Sequence, residues 1–237
     1  MRLNHFLAKA GVASRRKADE IIKEGRVVVN GFIQKDPAIT VSESDVIELD
    51  GTMLLRPNQV QPVYVMLHKP IGYLSTLSVG REKGIPITTL LPIRERIFPV
   101  GRLDRESSGL MLLTNDGDIA HRLTHPSFHI EKEYLVKLHR AVNLQDLKRI
   151  MRGAEIEGRF VRILNVNYAS GGRVSITIQE GRKHIIRKLM TEFNLRVVEL
   201  KRVRMGSLKL GKLAIGKWRK LKPYEINTLK KEVFNEK

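Results

Sequence analysis

Phe98-Pro99-Val100-Gly101-Arg102-Leu103-Asp104-Arg105-Glu106-Ser107-Ser108-Gly109-Leu110-Met111-Leu112-Leu113-Thr114-Asn115-Asp116-Gly117 is the stretch from which the rest of the chain is read. Leu110-Met111-Leu112-Leu113 is an unbroken apolar run, the pattern of a strand buried on both faces. Asn115-Asp116-Gly117 reads as the turn that ends it. Before the strand lies a polar loop framed by Gly101 and Gly109. It sets the Asp104 carboxylate between Arg102 and Arg105. A carboxylate held rigidly beside a buried strand can act as a nucleophile. An aspartate in a salt-bridged structural loop has the same pattern, and the loop by itself favours that plainer reading.

Working outward, Val63-Tyr64-Val65-Met66-Leu67 reads as a strand, and Tyr134-Leu135-Val136-Lys137-Leu138 as an alternating one. Arg162-Ile163-Leu164 and Val174-Ser175-Ile176-Thr177-Ile178 read as strands flanking a Gly171-Gly172 hairpin turn. Leu144, Leu147, Ile150 and Met151 have helical spacing, as do Ile185, Ile186, Leu189 and Met190. Helices and strands mix without regular alternation, which predicts an α+β domain with a mixed, mostly antiparallel sheet.

Towards the N-terminus the pattern changes. Leu3, Leu7 and Ala10 mark a helix ended by Gly11. Ser14 is the expected N-cap of a second helix, with Ala18, Ile21 and Ile22 inward and Gly25 at its close. Val27-Val28-Val29 followed by Asn30-Gly31 predicts a hairpin, and Val46–Leu49 before Asp50-Gly51 another. Arg56-Pro57-Asn58-Gln59-Val60-Gln61-Pro62 reads as a linker. The expected division is a small domain over 1–59 and a larger one over 60–237.

The 237 residues carry 43 Lys and Arg against 25 Asp and Glu, a net charge of +18. Residues 181–237 alone hold 17 basic and 5 acidic side chains. Solubility does not require such clustering, whereas a polyanion partner does. Arg15 and Arg16 open the second helix, where cations oppose the helix dipole. A phosphate bound at that end would use both the dipole and the cations.

Other classes fall away on motifs. No Gly-x-Gly-x-x-Gly follows a strand, and no phosphate loop ends in Gly-Lys-Ser/Thr. No apolar run reaches the roughly 18–20 residues of a membrane helix. The absence of cysteine excludes thiolate metal sites and fits a reducing cytoplasm. His121, His125 and His129 recur every four residues, but Pro126 interrupts any helix carrying them, and no metal is expected.

The opening stretch resembles the Gly-Arg-Leu-Asp-x-x-Ser-x-Gly-Leu-Leu-Leu-Leu-Thr-Asn-Asp-Gly signature of the RsuA/RluB-type ribosomal RNA pseudouridine synthases. His68-Lys69-Pro70-Ile71-Gly72-Tyr73 resembles that family's Asn-Lys-Pro-x-Gly segment, with His68 at the usual Asn. His125-Pro126-Ser127 with Lys132-Glu133-Tyr134, the segment Glu180–Met190 and the stretches Leu200–Gly206 and Gly216–Leu221 resemble its later motifs in order. Residues 1–59 are similar to the small αL-type RNA-binding domain, like that of ribosomal protein S-four, that precedes the catalytic domain. Ile185 stands where the family usually has Gln.

The resemblance implies isomerisation of a specific uridine in ribosomal RNA to pseudouridine, on a flipped base and without a cofactor. It implies Asp104 as the catalytic carboxylate, leaving open whether sugar or ring is attacked. Tyr134 would stack on the base, a contact worth about 1–3 kcal/mol, and Arg187 would pair with Asp104. Arg102 would fill the space of the flipped base. Arg15, Arg16, Lys9 and Lys188 complete the expected RNA-binding set with Lys69, which is expected to be a phosphate contact or a structural residue and not a catalytic one. The implied partner is ribosomal RNA of either subunit, as a precursor or assembly intermediate, met by a monomer in the cytoplasm. A non-catalytic assembly factor is the competing reading, and the Asp104, Tyr134 and Arg187 set argues against it.

Overall fold

The structure is a computed structural model describing residues 1–77, 84–93 and 95–234. It divides into two compact units. One comprises residues 1–63 with 95–96 and 115–117, and the other the remaining described residues.

The first unit opens with α1 (Leu3–Lys9) and α2 (Arg15–Lys23). The Ser14 hydroxyl accepts from the Lys17 amide at 3.2 Å, satisfying an otherwise orphaned donor of α2. Four short strands follow: β1 (Val27–Val29), β2 (Phe32–Gln34), β3 (Ile47–Leu49) and β4 (Thr52–Met53), in the antiparallel order β2-β1-β3-β4. Asn30-Gly31 and Asp50-Gly51 all take positive φ, as a two-residue hairpin of the right twist demands. Leu3, Leu7, Ala18, Ile22, Val27 and Ile47 form the core between helices and sheet. The segment read as a linker contains a single 3₁₀ turn, Pro57–Gln59.

In the second unit the strands are β5 (Tyr64–Lys69), β6 (Tyr73–Leu74), β7 (Ile85–Pro86), β8 (Phe98–Pro99), β9 (Ser108–Thr114), β10 (Lys132–Leu138), β11 (Ala154–Ile156), β12 (Arg159–Val161), β13 (Asn165–Ala169), β14 (Arg173–Ile178), β15 (Val197–Met205), β16 (Leu208–Lys209) and β17 (Trp218–Lys220). Its helices are α3 (Gly117–Thr124), α4 (Leu144–Met151), α5 (Ile185–Glu192) and α6 (Pro223–Phe234). The main sheet runs β13-β14-β10-β15-β9-β5-β17, with β8 on β9 and β16 on β15. Among its described pairings only β9 with β15 is parallel. The fold is therefore α+β, a helical N-terminal region joined to a mixed, mostly antiparallel sheet.

Leu110, Met111, Leu112 and Leu113 are fully buried, because β9 lies mid-sheet with apolar layers on both faces. Ile119, Leu123, Leu229 and Val233 of α3 and α6 pack against Leu110 and Leu112. The hairpin partner of β14 is not 162–164 but β13, five residues of mostly half-exposed or exposed side chains. It is the outermost strand of the sheet, so its sequence lacks the apolar signal that identifies a buried strand. Ile163 is buried, though outside the ladder.

The close contact of β9 with β15 depends on Gly109. It has φ +115, and a Cβ there would overlap the Arg202 carbonyl oxygen and stand 2.5 Å from its amide nitrogen. Both the backbone conformation and the missing side chain are needed. Gly109→Ala is expected to lose roughly 2–4 kcal/mol of stability. Urea unfolding at pH 7 checks this, and a loss below 1 kcal/mol would contradict the packing argument.

Candidate active site

Asp104 lies on the loop between β8 and β9, and that loop is fastened from below. Lys69, at the end of β5, is 0% exposed. Its ammonium donates to the carbonyl oxygens of Pro70 at 3.0 Å, Asp104 at 3.1 Å and Ser107 at 2.8 Å. All three lysine donors are thereby used on backbone. The Ser75 hydroxyl donates to the Leu103 carbonyl and accepts from the Leu103 amide, at 2.8 and 3.0 Å. The Gly72 amide donates to the Arg105 carbonyl at 2.8 Å. The carboxylate of Asp104 is thus carried by a loop whose backbone is held at Leu103, Asp104, Arg105 and Ser107.

A cavity of about 150 Å³ opens beside Asp104. Tyr134 and Lys132 enter it from β10, Arg202 from β15, His184 and Ile185 from the start of α5, and Ser107 from the loop. Alternation along β10 buries Lys132, Tyr134, Val136 and Leu138 on one side. Tyr134 is paired in register with Arg202. His184 has left-handed φ of 56°, and its Nε2 stands 3.4 Å from Asp104 Oδ1. A wider cleft of about 510 Å³ adjoins the cavity. Arg102, Asp104, Lys183 and His184 line both.

Several expected residues stand elsewhere. Arg187 is not paired with Asp104, whose carboxylate instead has the His184 ring beside it at 3.4 Å. Its guanidinium donates instead to the Glu106 carbonyl at 3.0 Å and the Val197 carbonyl at 3.5 Å. The α5 register turns position 187 towards the loop backbone, three residues beyond the His184 that faces the carboxylate. Lys69 cannot meet a phosphate, being sealed under the loop. Lys188 is ion-paired with Glu157 at 2.5 Å. Arg102 is exposed on the rim, close to Asp104 in sequence and in space. Arg15 and Arg16 are exposed in the first turn of α2, and Lys9 ends α1.

Lys132, His184 and Arg202 were not singled out from sequence. Each lies in a segment that carries the family resemblance, but a lysine or arginine in a basic chain signals nothing by itself. The alternation of Lys132 with Tyr134 was the available clue. Burial pushes the Lys69 and Lys132 ammonium groups down to about 8, against an ordinary value of 10.5. Burial likewise lowers His68, whose Nδ1 is 2.7 Å from the Leu213 carbonyl. The rings of His121 and His125 lie 5.1 Å apart between centres, tilted by 34°. Among the described residues no cluster of three or more His, Asp or Glu could hold a metal ion, and no helix is long and apolar enough to cross a membrane.

Residues 63–192 match the family model described as RNA pseudouridylate synthase, and residues 1–47 match the S4 domain. An uncharacterized RNA pseudouridine synthase of Aquifex aeolicus (strain VF5) is 41% identical, over 98% of this chain and 95% of its own. The ribosomal large subunit pseudouridine synthase B of Bacillus subtilis (strain 168) is 37% identical, over 97% of this chain and 95% of its own. A crystal structure of a pseudouridylate synthase superposes with a TM-score of 0.68 at 29% identity, covering 97% of this chain and 99% of that one. The chain joins an S4-type RNA-binding region to an isomerase domain, and it belongs to the RNA pseudouridine synthase family.

The buried lysines fix a pH dependence. Between pH 8 and 10.5 the unfolded chain binds more protons at Lys69 than the folded one, so stability rises with pH across that window. Below it both states are protonated and the whole penalty of the buried charge is present. Relative to Lys69→Met, the wild type should gain stability between pH 7.5 and 10 in urea unfolding. Parallel stability curves for the two proteins would contradict the assignment.

Proposed function

We propose that this protein converts one uridine of large-subunit ribosomal RNA to pseudouridine, with Asp104 as the catalytic carboxylate. The observation that carries the reading is the placement of Asp104 on a fastened loop at a cavity shared with Tyr134, in a chain that is a pseudouridine synthase by family. The choice of RNA follows the Bacillus relative, whose name specifies the large ribosomal subunit.

The target base leaves its stack and enters the cavity, where it lies against the Tyr134 ring. Asp104 then acts on the nucleotide as the glycosidic bond between N1 and C1′ opens. The base turns and rejoins the sugar through C5. Arg187 serves by holding the Glu106 carbonyl, two residues from Asp104, and is a positioning residue. Arg102, on the rim, takes up the space vacated in the RNA stack. Arg15 and Arg16 meet phosphates at the start of α2.

Asp104→Asn should bind ribosomal RNA with wild-type affinity and form no pseudouridine, while the wild type turns over with no cofactor added. Nucleoside analysis of RNA treated with each protein reads this directly, and turnover by the variant would remove Asp104 from the chemistry. Replacing Arg15 and Arg16 together by Gln should flatten the plot of log affinity against log salt by roughly 1.5, the loss of about two phosphate contacts. An unchanged slope would take both residues off the RNA.

A further inference from the structure

Among the described residues, the buried Lys, Arg, Asp and Glu side chains are Lys69, Lys132, Arg202 and Asp146. The three cations all belong to this site. Lys69 is fully engaged by the loop backbone. The other two are not. Lys132 is 6% exposed and donates to the Ile130 and Gln179 carbonyls, at 3.0 and 3.3 Å, which leaves one ammonium hydrogen over. Arg202 is 3% exposed. Its Nε donates to the Leu110 carbonyl at 2.9 Å, while its buried Nη2 has no hydrogen-bond partner among the described residues. The Ser107 hydroxyl, also buried and lining the cavity, is equally unpartnered.

A buried guanidinium without an anion is costly, and folds keep one where a ligand completes it. The acidic neighbour of Lys132 is Glu180, whose carboxylate is held by Arg182 at 2.5 Å. No carboxylate forms an ion pair with Arg202 or Lys132 among the described residues, so the floor of the cavity is left cationic. The missing anion must reach behind the rim. Arg102 and Lys183, both exposed at the mouth, suit RNA phosphates. Arg202 and Lys132 lie deeper, beside Tyr134. Register puts Arg202 directly across from Tyr134, and strand alternation puts Lys132 on the same side. A ring stacked on Tyr134 would turn its edge, with its carbonyl oxygens, to these cations.

We propose that Arg202 and Lys132, aided by the Ser107 hydroxyl, hold the detached uracil as an anion while it turns between its two attachments. This rests on the function proposed above. When the N1–C1′ bond breaks heterolytically, its electron pair stays with the base and spreads onto O2 and O4, and the electron deficit left at C1′ is met by the Asp104 carboxylate. Donors already fixed in the cavity stabilise that charge without reorganising. On return, an electron pair of the ring forms the C5–C1′ bond and frees Asp104 from C1′, C5 gives its proton to solvent, and N1 takes one from solvent. Atoms and charge balance, and the cations are unchanged. Arg202 and Lys132 are thus catalytic residues, acting on the leaving base and not on the sugar.

The test uses the full chain, Lys132→Met and Arg202→Gln variants, and ribosomal RNA carrying uridine or 5-fluorouridine at the target position. Fluorine makes the departing base a more stable anion, so a defect in holding that anion should shrink. Each variant is expected to lose on the order of 10²-fold in kcat on uridine RNA with KM nearly unchanged. The loss should fall at least tenfold when consumption of the 5-fluorouridine nucleotide is followed. Equal losses on the two substrates, or a loss confined to KM, would overturn the proposal. If Arg202→Gln does not fold, Lys132→Met alone decides. Failure of the wild type to form any pseudouridine would instead refute the function on which the inference rests.

Discussion

Everything in the second unit turns on the contact of two backbones at Gly109. β9 and β15 pair in parallel only over Ser108–Lys201 and Gly109–Arg202. That short contact joins an antiparallel set, β13-β14-β10-β15, to another, β9-β5-β17. A side chain at position 109 would hold the strands apart. The same contact also sets the site. It lies at the first residues of β9, immediately after the loop that bears Asp104. On its far side Arg202 reaches across to the Leu110 carbonyl and ties the strands a second time. Core and catalytic loop are therefore positioned by one close approach.

The electrostatics follow from that geometry. β5, β10 and β15 each deliver one cation into the interior near the loop: Lys69, Lys132 and Arg202. Their charges repel, and burial raises the expense. Lys69 offsets its share by satisfying three carbonyls, which makes it a structural clamp, one of the two roles its motif suggested. The other two have fewer partners. Such strain is borne where function requires it, and elsewhere the buried ionic residue is compensated: Asp146 accepts from Arg140 through both oxygens and from the Asn143 amide.

Much of this was legible in the order of residues. The apolar run 110–113 specified a two-sided strand because it is short and lies between Gly109 and the Asn115-Asp116-Gly117 turn. Ser14, Asn30-Gly31 and Asp50-Gly51 specified their cap and turns because those conformations admit few residue types. The edge strand β13 was not legible, since half of an edge strand faces water and carries no apolar signal. At the site, Asp104 and Tyr134 were marked by the resemblance of their segments. The partner of Asp104 was not, because a left-handed turn at His184 redirects the chain before α5 and brings position 184, rather than 187, to the carboxylate. Burial of Arg202 and Lys132 depends on strand register across residues far apart in the chain, which no local pattern encodes.

The bond from Arg202 to Leu110 spans 92 residues of chain. A ribosome that has completed β9 and β10 has still to make β15, which lies between β10 and β9 in the finished sheet. Until then β9 has an open edge and the cavity has no floor. Long-range closure of this kind makes folding slow. The isomerase unit therefore closes only once β15 has been made, whereas α1, α2 and β1 to β4 all precede β9 in the chain.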